Sequence, residues 1–222
     1  MIFLKILVTS DLHGDTKLMS TLKERSKMAD LLLVAGDITG KHFEVDDFKS
    51  LQALQKDDEK KFNKSMEALC IPYRYILGND DWIDGHSKNI LRKSEFFKGF
   101  ALDPFAYVPI TPFRTNREMN ENMLRYHLSK IKKKENQIIL AHTPPLFCGD
   151  TLYPSSRHCG SRAVREWIEE NQPKFWLCGH IHEDFSCTYI GNTIVLNAAC
   201  DHSASLFRAW LINTDTGEVE NL

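Results

Sequence analysis

Short polar segments that each follow an apolar run constrain this chain more than any other feature. Because ligands of α/β proteins bind beyond the carboxyl ends of the sheet strands, we expect these segments to meet at one edge of a sheet. Together they supply imidazoles, carboxylates and an amide oxygen, a set that suits two divalent cations. In chain order they are Ser10-Asp11-Leu12-His13, Gly36-Asp37, Gly78-Asn79-Asp80-Asp81, His142 and Gly179-His180-Ile181-His182.

Apolar periodicity predicts an α/β arrangement of strands and helices. Short apolar runs predict strands over residues 2–9, 31–35, 73–77, 137–141 and 174–178, with three further β-rich runs between residues 185 and 213. Apolar residues at helical spacing predict helices over residues 14–28, 43–69 and 117–134, and a fourth through Glu170 with Ser161 as its N-cap. The chain therefore begins as β-α-β, and we expect antiparallel strands in its C-terminal part.

Three stretches are less regular. Residues 43–69 are highly charged, which predicts a solvated helix and leaves a break near residues 56–58 open. Residues 82–116 carry little periodicity and indicate short strands and loops. A loop of about fifteen residues follows Pro145, longer than most connections, and we expect it to be functional or mobile. Since no linker or repeat interrupts the chain, a single domain is expected over residues 1–222.

Composition limits the classes of partner. The 222 residues include 28 basic and 30 acidic ones, so an extended nucleic-acid surface is not expected. The apolar run at residues 2–8 is too short to span a membrane and lacks a small-residue cleavage site, which favours a strand over a signal peptide. The six cysteines form no C-x-x-C pair and are typical of reduced thiols in a cytoplasmic protein.

Each polar segment alone has an ordinary structural interpretation. Asp11 and His13 suit a loop, Gly36-Asp37 a turn, and Asn79 a turn residue that tolerates left-handed geometry. The functional interpretation differs at each position. The Asp37 carboxylate can bridge two cations, and the Asn79 amide is a neutral oxygen ligand that adds no negative charge.

In combination the segments resemble the calcineurin-like metallophosphoesterase family, whose pattern is D-x-H, G-D, G-N-H-D/E, H and G-H-x-H. The resemblance spans residues 10–182. It implies a four-layer α/β/β/α sandwich with mixed sheets. It also implies one metal held by Asp11, His13, Asp37 and His182, and a second held by Asp37, Asn79, His142 and His180. We expect two divalent ions, Mn²⁺ first, with Fe and Zn²⁺ as alternatives.

The chain departs from the family pattern at Asp80. The family commonly has a histidine there that contacts the phosphate and helps to protonate the leaving group. Asp80 either stays ionised and shapes the site or is protonated by its acidic neighbours and acts as the donor. We favour the first, and therefore expect a preference for leaving groups that depart without protonation.

The resemblance implies hydrolysis of a small phosphate ester by a hydroxide that bridges two metals. A phosphodiester is the first expectation, because the chain has no basic cluster that would demand a dianionic monoester. Monoesters, nucleotides and phosphoproteins remain open. Two alternatives are a catalytically weak or inactive binding or scaffold protein of the same sandwich fold, and a mononuclear hydrolase.

Two further histidines are candidates to contact the substrate. His158 lies in the long loop that leads into a predicted helix N-terminus, which is a natural anion site. His202 lies near the turn between two C-terminal β-rich runs. For both, an ordinary surface-loop position is the alternative.

Overall fold

The structure, a computed structural model, describes residues 4–222. The first strand was predicted over residues 2–9; residues 1–3 lie outside the described part, and the strand is described from Lys5. The strands are β1 (Lys5–Thr9), β2 (Leu31–Val34), β3 (Tyr73–Tyr75), β4 (Glu95–Phe97), β5 (Phe100–Phe105), β6 (Val108–Pro109), β7 (Glu118–Met119), β8 (Gln137–Ala141), β9 (Thr151–Leu152), β10 (Arg157–His158), β11 (Phe175–Cys178), β12 (Ser186–Ile190), β13 (Thr193–Asn197), β14 (Trp210–Asn213) and β15 (Val219–Asn221).

The helices agree with the predicted ones in number and order; the first three are shorter than predicted, and the fourth ends one residue later. They are α1 (Thr16–Arg25), α2 (Phe48–Glu67), α3 (Glu121–Leu128) and α4 (Arg162–Asn171). Ser161 is the N-cap of α4, as predicted, and its hydroxyl accepts from the Val164 backbone N–H. Short 3-10 turns cover Ser26–Met28 and His202–Ala204. None of the helices in residues 4–222 is long and apolar enough to cross a membrane.

Two mixed sheets form the centre of the fold. The first sheet has the order β15-β14-β1-β2-β3, in which β1, β2 and β3 run parallel. The second has the order β12-β13-β11-β8-β5-β4, in which β13, β11, β8 and β5 run parallel. The C-terminal strands β12, β14 and β15 pair antiparallel, as expected, whereas β13 also pairs in parallel with β11.

The buried side chains divide into three clusters that define four layers. Alternate residues of the strands face opposite ways, so Ile6 and Leu33 pack between the sheets while Leu7 and Leu32 pack outward. The outward cluster of the first sheet includes residues of α1 and α2, and that of the second sheet includes residues of α3 and α4. The order of layers is therefore α/β/β/α, as the family resemblance implied.

Two interpretations of the charged and helical stretches need correction. Helix α2 continues through residues 56–58 without a break, because the Asp57–Lys60 pair at i,i+3 is compatible with a helix. It is also not purely solvated, since Gln55 and Glu59 are buried. The predicted helix over residues 117–134 is confined to α3, and residues 118–119 are extended as β7.

Candidate metal centre

The carboxyl ends of the parallel strands of both sheets meet at one edge, and every predicted ligand follows one of these ends. Contacts across the sheets hold the edge together. The His142 Nδ1 lies 2.7 Å from the Ala35 carbonyl oxygen, and the Gly179 N–H donates to the His142 carbonyl at 3.1 Å. The His180 N–H donates to Asp11 Oδ2 at 2.9 Å. The segments that are distant in sequence are therefore adjacent in space.

Several of the predicted ligands have unusual backbone geometry. Asp11, His13, Asp37 and His180 have φ values of +59°, +43°, +51° and +73°. Non-glycine residues rarely adopt this left-handed region, and such strain concentrates at functional sites. In each case the chain turns sharply just after a strand, which directs the side chain to the shared edge.

The first predicted ligand set surrounds Asp11. His182 Nε2 lies 3.0 Å from Asp11 Oδ1. His13 Nε2 lies 3.9 Å from Asp11 Oδ1 and 3.8 Å from Asp37 Oδ2. One ligand atom from each of Asp11, His13 and Asp37 lies within 4.8 Å of the other two. The set is compact enough for one ion.

The second predicted ligand set surrounds His142. Its Nε2 lies 2.9 Å from Asn79 Oδ1 and 3.3 Å from Asp37 Oδ2. The ring centroids of His142 and His180 are 5.2 Å apart. Asp37 Oδ2 therefore lies near an imidazole of each set.

The unpartnered imidazole of His13 tests whether these residues suit a metal. His13 is buried, and neither of its ring nitrogens has a hydrogen-bond partner within residues 4–222. A buried polar group without a partner is costly, and a cation bound to the ring would remove that cost. His142 also fits, because its Nδ1 faces a backbone carbonyl, as metal-binding histidines commonly do. The mixed nitrogen and oxygen donors suit first-row divalent metals.

The pKa values of the candidate ligands are shifted in both directions. Burial acts to lower the pKa of His142, but the charge of Asp37 and a hydrogen bond to it together raise that pKa to about 10. Burial lowers the pKa of His13 well below its ordinary value, and burial together with His142 lowers the pKa of His180 to about 3. Both imidazoles are therefore neutral near pH 7, as a metal ligand must be. Burial acts to raise the pKa of Asp11, but the charge of His182, its hydrogen bond to Asp11 and the charge of His142 together hold that pKa well below its usual range. Asp11 is therefore an ionised carboxylate.

Asp81 supports the loops that carry the ligands. It is fully buried, and its carboxylate accepts hydrogen bonds from the Thr39 N–H at 2.9 Å, the Thr39 hydroxyl at 2.7 Å and the Gly78 N–H at 2.8 Å. Burial, with the neighbouring charge of Asp37, raises the pKa of Asp81 to about 6. No role of Asp81 was predicted from the sequence, although the acidic last position of the G-N-H-D/E pattern was a signal for it.

Gln55 and Thr115 provide further support that no motif indicated. The Gln55 side-chain amide donates to the Gly40 carbonyl at 2.9 Å and to the Asp80 carbonyl at 2.8 Å, and so joins the loops after β2 and β3. The Thr115 hydroxyl accepts from Asn79 Nδ2 at 3.0 Å, which leaves Asn79 Oδ1 directed at His142. Both lie far from their partners in sequence.

Asp80 lies beside the second ligand set and forms an ion pair. Its backbone N–H donates to Asp37 Oδ1 at 2.8 Å. Its carboxylate Oδ2 lies 3.1 Å from Lys41 Nζ, and both side chains are partly exposed. Lys41 was not singled out from the sequence.

The two substrate-contact candidates lie in different surroundings. His158 is in β10, where its Nδ1 lies 2.8 Å from the buried carboxylate of Asp150 and its ring packs against Phe147. None of the predicted metal ligands is among these partners. His202 instead lies next to the first ligand set, with its ring centroid 4.3 Å from that of His13.

Comparison with known proteins shows the family and the fold of the chain. Residues 4–184 match the calcineurin-like phosphoesterase family. An uncharacterized protein of Methanocaldococcus jannaschii is 32% identical over 206 residues, which is 88% of each chain. Two solved structures share the fold. The protein TT1561 of Thermus thermophilus has a TM-score of 0.67 at 15% identity, covering 100% of this chain and 99% of that one. A purple acid phosphatase from yellow lupin (Lupinus luteus) seeds has a TM-score of 0.58 at 10% identity, covering 99% and 53%. The chain therefore belongs to the calcineurin-like phosphoesterase family and, with it, to the hydrolases that act on phosphate esters.

Proposed function

We propose that this protein hydrolyses a small phosphodiester at a centre of two divalent metals. One metal is held by Asp11, His13, Asp37 and His182, and the other by Asp37, Asn79, His142 and His180. The single observation that supports this most is the position of Asp37 Oδ2, 3.8 Å from His13 Nε2 and 3.3 Å from His142 Nε2. A carboxylate between two imidazoles of different sets suits a bridge between two ions.

The protein residues and the metals divide the chemistry between them. Two such ions would lower the pKa of a shared water and bind the phosphoryl oxygens of the substrate. The protein holds the ligands in place before the ions bind, because Asp81 and Thr115 orient the loops around them. No side chain needs to act as the nucleophile.

A phosphodiester is favoured over a monoester by the charge beside the site. Lys41 forms an ion pair with Asp80 at 3.1 Å, so its charge is offset by that carboxylate. A dianionic monoester would be bound best by a cation without such a partner, whereas a monoanionic diester has less need of one. We propose Mn²⁺ as the metal, with Fe and Zn²⁺ as alternatives, because the donors include both carboxylate oxygens and imidazole nitrogens.

Two finer points belong to the same proposal. His158 is proposed to contact the substrate from the long loop after β8, where its side chain is 37% exposed.

A cytoplasmic location is also proposed, on the grounds that all six cysteines are free thiols.

The test compares metal content and hydrolysis in matched variants. Asp37→Ala and His180→Ala should lose bound metal and hydrolysis of bis-p-nitrophenyl phosphate together. We expect the rate to fall by more than about 100-fold, since even residues that only orient ligands cost 10–100-fold. His86→Ala is the control, because His86 is exposed and is not among the proposed ligands.

Other outcomes of the same test would support the alternatives. Two bound metals without hydrolysis of a diester or of p-nitrophenyl phosphate would favour a binding or scaffold protein. One metal per chain would favour a mononuclear hydrolase. Retained hydrolysis in Asp37→Ala would refute the proposed centre.

A further inference from the structure

His202 lies against the first ligand set, in the short turn His202–Ala204 between β13 and β14. Its ring centroid is 4.3 Å from that of His13 and 4.9 Å from that of His182. One ring nitrogen from each of these three histidines lies within 4.8 Å of the other two. Two nitrogens bound to one ion at about 2.1 Å can be at most about 4.2 Å apart. A small rotation of the side chains would therefore bring all three onto a single ion.

The ring of His202 has an unused buried nitrogen. Its Nδ1 is buried and has no hydrogen-bond partner in the described part of the chain, residues 4–222. The same is true of both nitrogens of His13, which the ring of His202 faces. Two adjacent imidazoles with buried, unsatisfied nitrogens are costly. One cation between the two rings would satisfy both. A substrate atom hydrogen-bonded to His202 would leave the nitrogens of His13 without a partner.

The turn that carries His202 is fixed to the loop that carries His13. The Ser205 hydroxyl donates to Asp15 Oδ2 at 2.6 Å, and Asp15 is two residues from His13. Cys200 donates its backbone N–H to the Ser10 carbonyl at 3.0 Å, just before Asp11. Within the turn, Asp201 Oδ1 accepts from the Ser203 hydroxyl at 2.6 Å. The position of His202 relative to His13 is therefore held from both sides of the turn, as a ligand position must be.

We propose that His202 is a ligand of the first metal, in addition to Asp11, His13, Asp37 and His182, and that it does not contact the substrate. This inference rests on the proposed metal centre and goes beyond the ligand set that the family resemblance implies. The first metal then has three imidazole ligands, whereas the second has two and an amide oxygen. Since imidazole suits Zn²⁺ and Fe better than Mn²⁺, the first position should prefer one of these metals even if the second holds Mn²⁺.

The experiment measures metal binding directly. The full chain is stripped of metal with a chelator and titrated with Co²⁺, whose binding is followed by calorimetry and whose visible absorption reports the ligands. The wild type should bind two ions per chain. His202→Ala should bind one of them at least about 10-fold more weakly, by analogy with the 10–100-fold cost of losing an orienting residue, and its Co²⁺ spectrum should change.

Two further variants make the result specific. His202→Gln keeps a polar side chain but has no imidazole, and it should behave like His202→Ala. His86→Ala should match the wild type. Circular dichroism of the metal-free proteins checks that all variants are folded, which is expected because His202 lies in a surface turn.

The outcomes separate this inference from the proposed function. Unchanged Co²⁺ affinity and spectrum in both His202 variants would overturn the inference, and a raised KM for the diester in the same variants would return His202 to the role of a substrate contact. If the His202 variants bind Co²⁺ more weakly but the wild type hydrolyses no phosphate ester, the inference would be supported and the proposed function rejected. A wild-type protein that binds no metal would overturn both.

Discussion

The Lys41–Asp80 ion pair bears on whether a side chain beside the proposed metal centre can donate a proton to the leaving group. The Asp80 carboxylate and the Lys41 ammonium are 3.1 Å apart and only partly exposed, and we propose that this pair leaves Asp80 without a role as proton donor. An ionised carboxylate has no proton to donate to a leaving group. The backbone of Asp80 nevertheless contributes, because its N–H donates to Asp37 Oδ1 at 2.8 Å.

We therefore expect the rate to depend steeply on the leaving group. A general acid contributes typically 10²–10⁴-fold, so phenyl diesters should react more slowly than p-nitrophenyl diesters by at least about 100-fold. Asp80→His supplies an acid and should reduce this difference. Asp80→Asn is the matched control, since it removes the charge without adding an acid and should keep the steep dependence. The measurement is kcat/KM over a series of aryl diesters, and a flat series for the wild type would contradict the assignment of Asp80.

At this scale the sequence indicated the candidate ligands, which stay predictions, but not the residues that support them. Asp37 and His142 follow apolar strands, and their motifs are local, so one pass along the chain finds them. Lys41, Gln55 and Thr115 carry no local motif. Their roles depend on contacts with residues 15 to 39 positions away, such as Gln55 with Gly40 and Lys41 with Asp80, and only the folded chain reveals such contacts.

At the scale of elements, the approach of the two sheets depends on the turn after β2. Gly36 has a φ of +105°, and a Cβ there would lie 2.7 Å from His142 Nδ1 and 2.8 Å from the Gly78 backbone nitrogen. The close approach joins β2 and β3 of the first sheet to β8 of the second. Only glycine allows both the backbone angle and the distance.

Gly36→Ala should therefore destabilise the protein and weaken metal binding. Backbone strain costs of order 1–3 kcal/mol, and overpacking typically adds about 1–3 kcal/mol more. Gly217→Ala is a control for strain alone, because Gly217 has a φ of +75° but a Cβ there meets no atom of the described residues within 4 Å. Urea unfolding and Co²⁺ titration of both variants provide the measurement. Equal losses of stability in the two variants would show that the close contact contributes nothing.

Element boundaries were the less predictable part of the fold. The strands before the motifs were predicted well, because apolar runs buried on both faces have a simple signature. Helix α2 was expected to be solvated, yet Gln55 and Glu59 point inward, where Glu59 Oε1 accepts from the Tyr75 hydroxyl at 2.8 Å. Polar residues on a buried face carry no apolar periodicity, so the sequence pattern does not distinguish them from exposed ones.

At the scale of the whole molecule, the proposed ligands come from both sheets. Asp11, Asp37 and Asn79 follow strands of the first sheet, and His142 and His180 follow strands of the second. An ion bound to both groups would link the two halves of the sandwich. Because the unfolded chain lacks this arrangement, binding should favour the native state.

Metal should therefore raise the free energy of unfolding of the whole protein. At 100 times its Kd, a ligand that binds only the native state stabilises it by about 2.7 kcal/mol per site, or about 5 kcal/mol for two sites. Urea unfolding with and without metal, after the Kd has been measured, checks this value. Asp37→Ala should lose most of the gain and His86→Ala should keep it; a wild type with the same stability in both conditions would speak against a centre shared by the sheets.

Strand β14 pairs with a strand that lies about two hundred residues earlier in the chain. It pairs antiparallel with β1, so that Lys5 lies opposite Asn213 and Val8 opposite Trp210. During translation, β1 leaves the ribosome before its partner β14, which emerges only after some two hundred further residues have been made. Until then one edge of β1 has open backbone donors and acceptors, which invite pairing with other chains. Nascent chains of this protein should therefore depend on chaperones until β14 has been made.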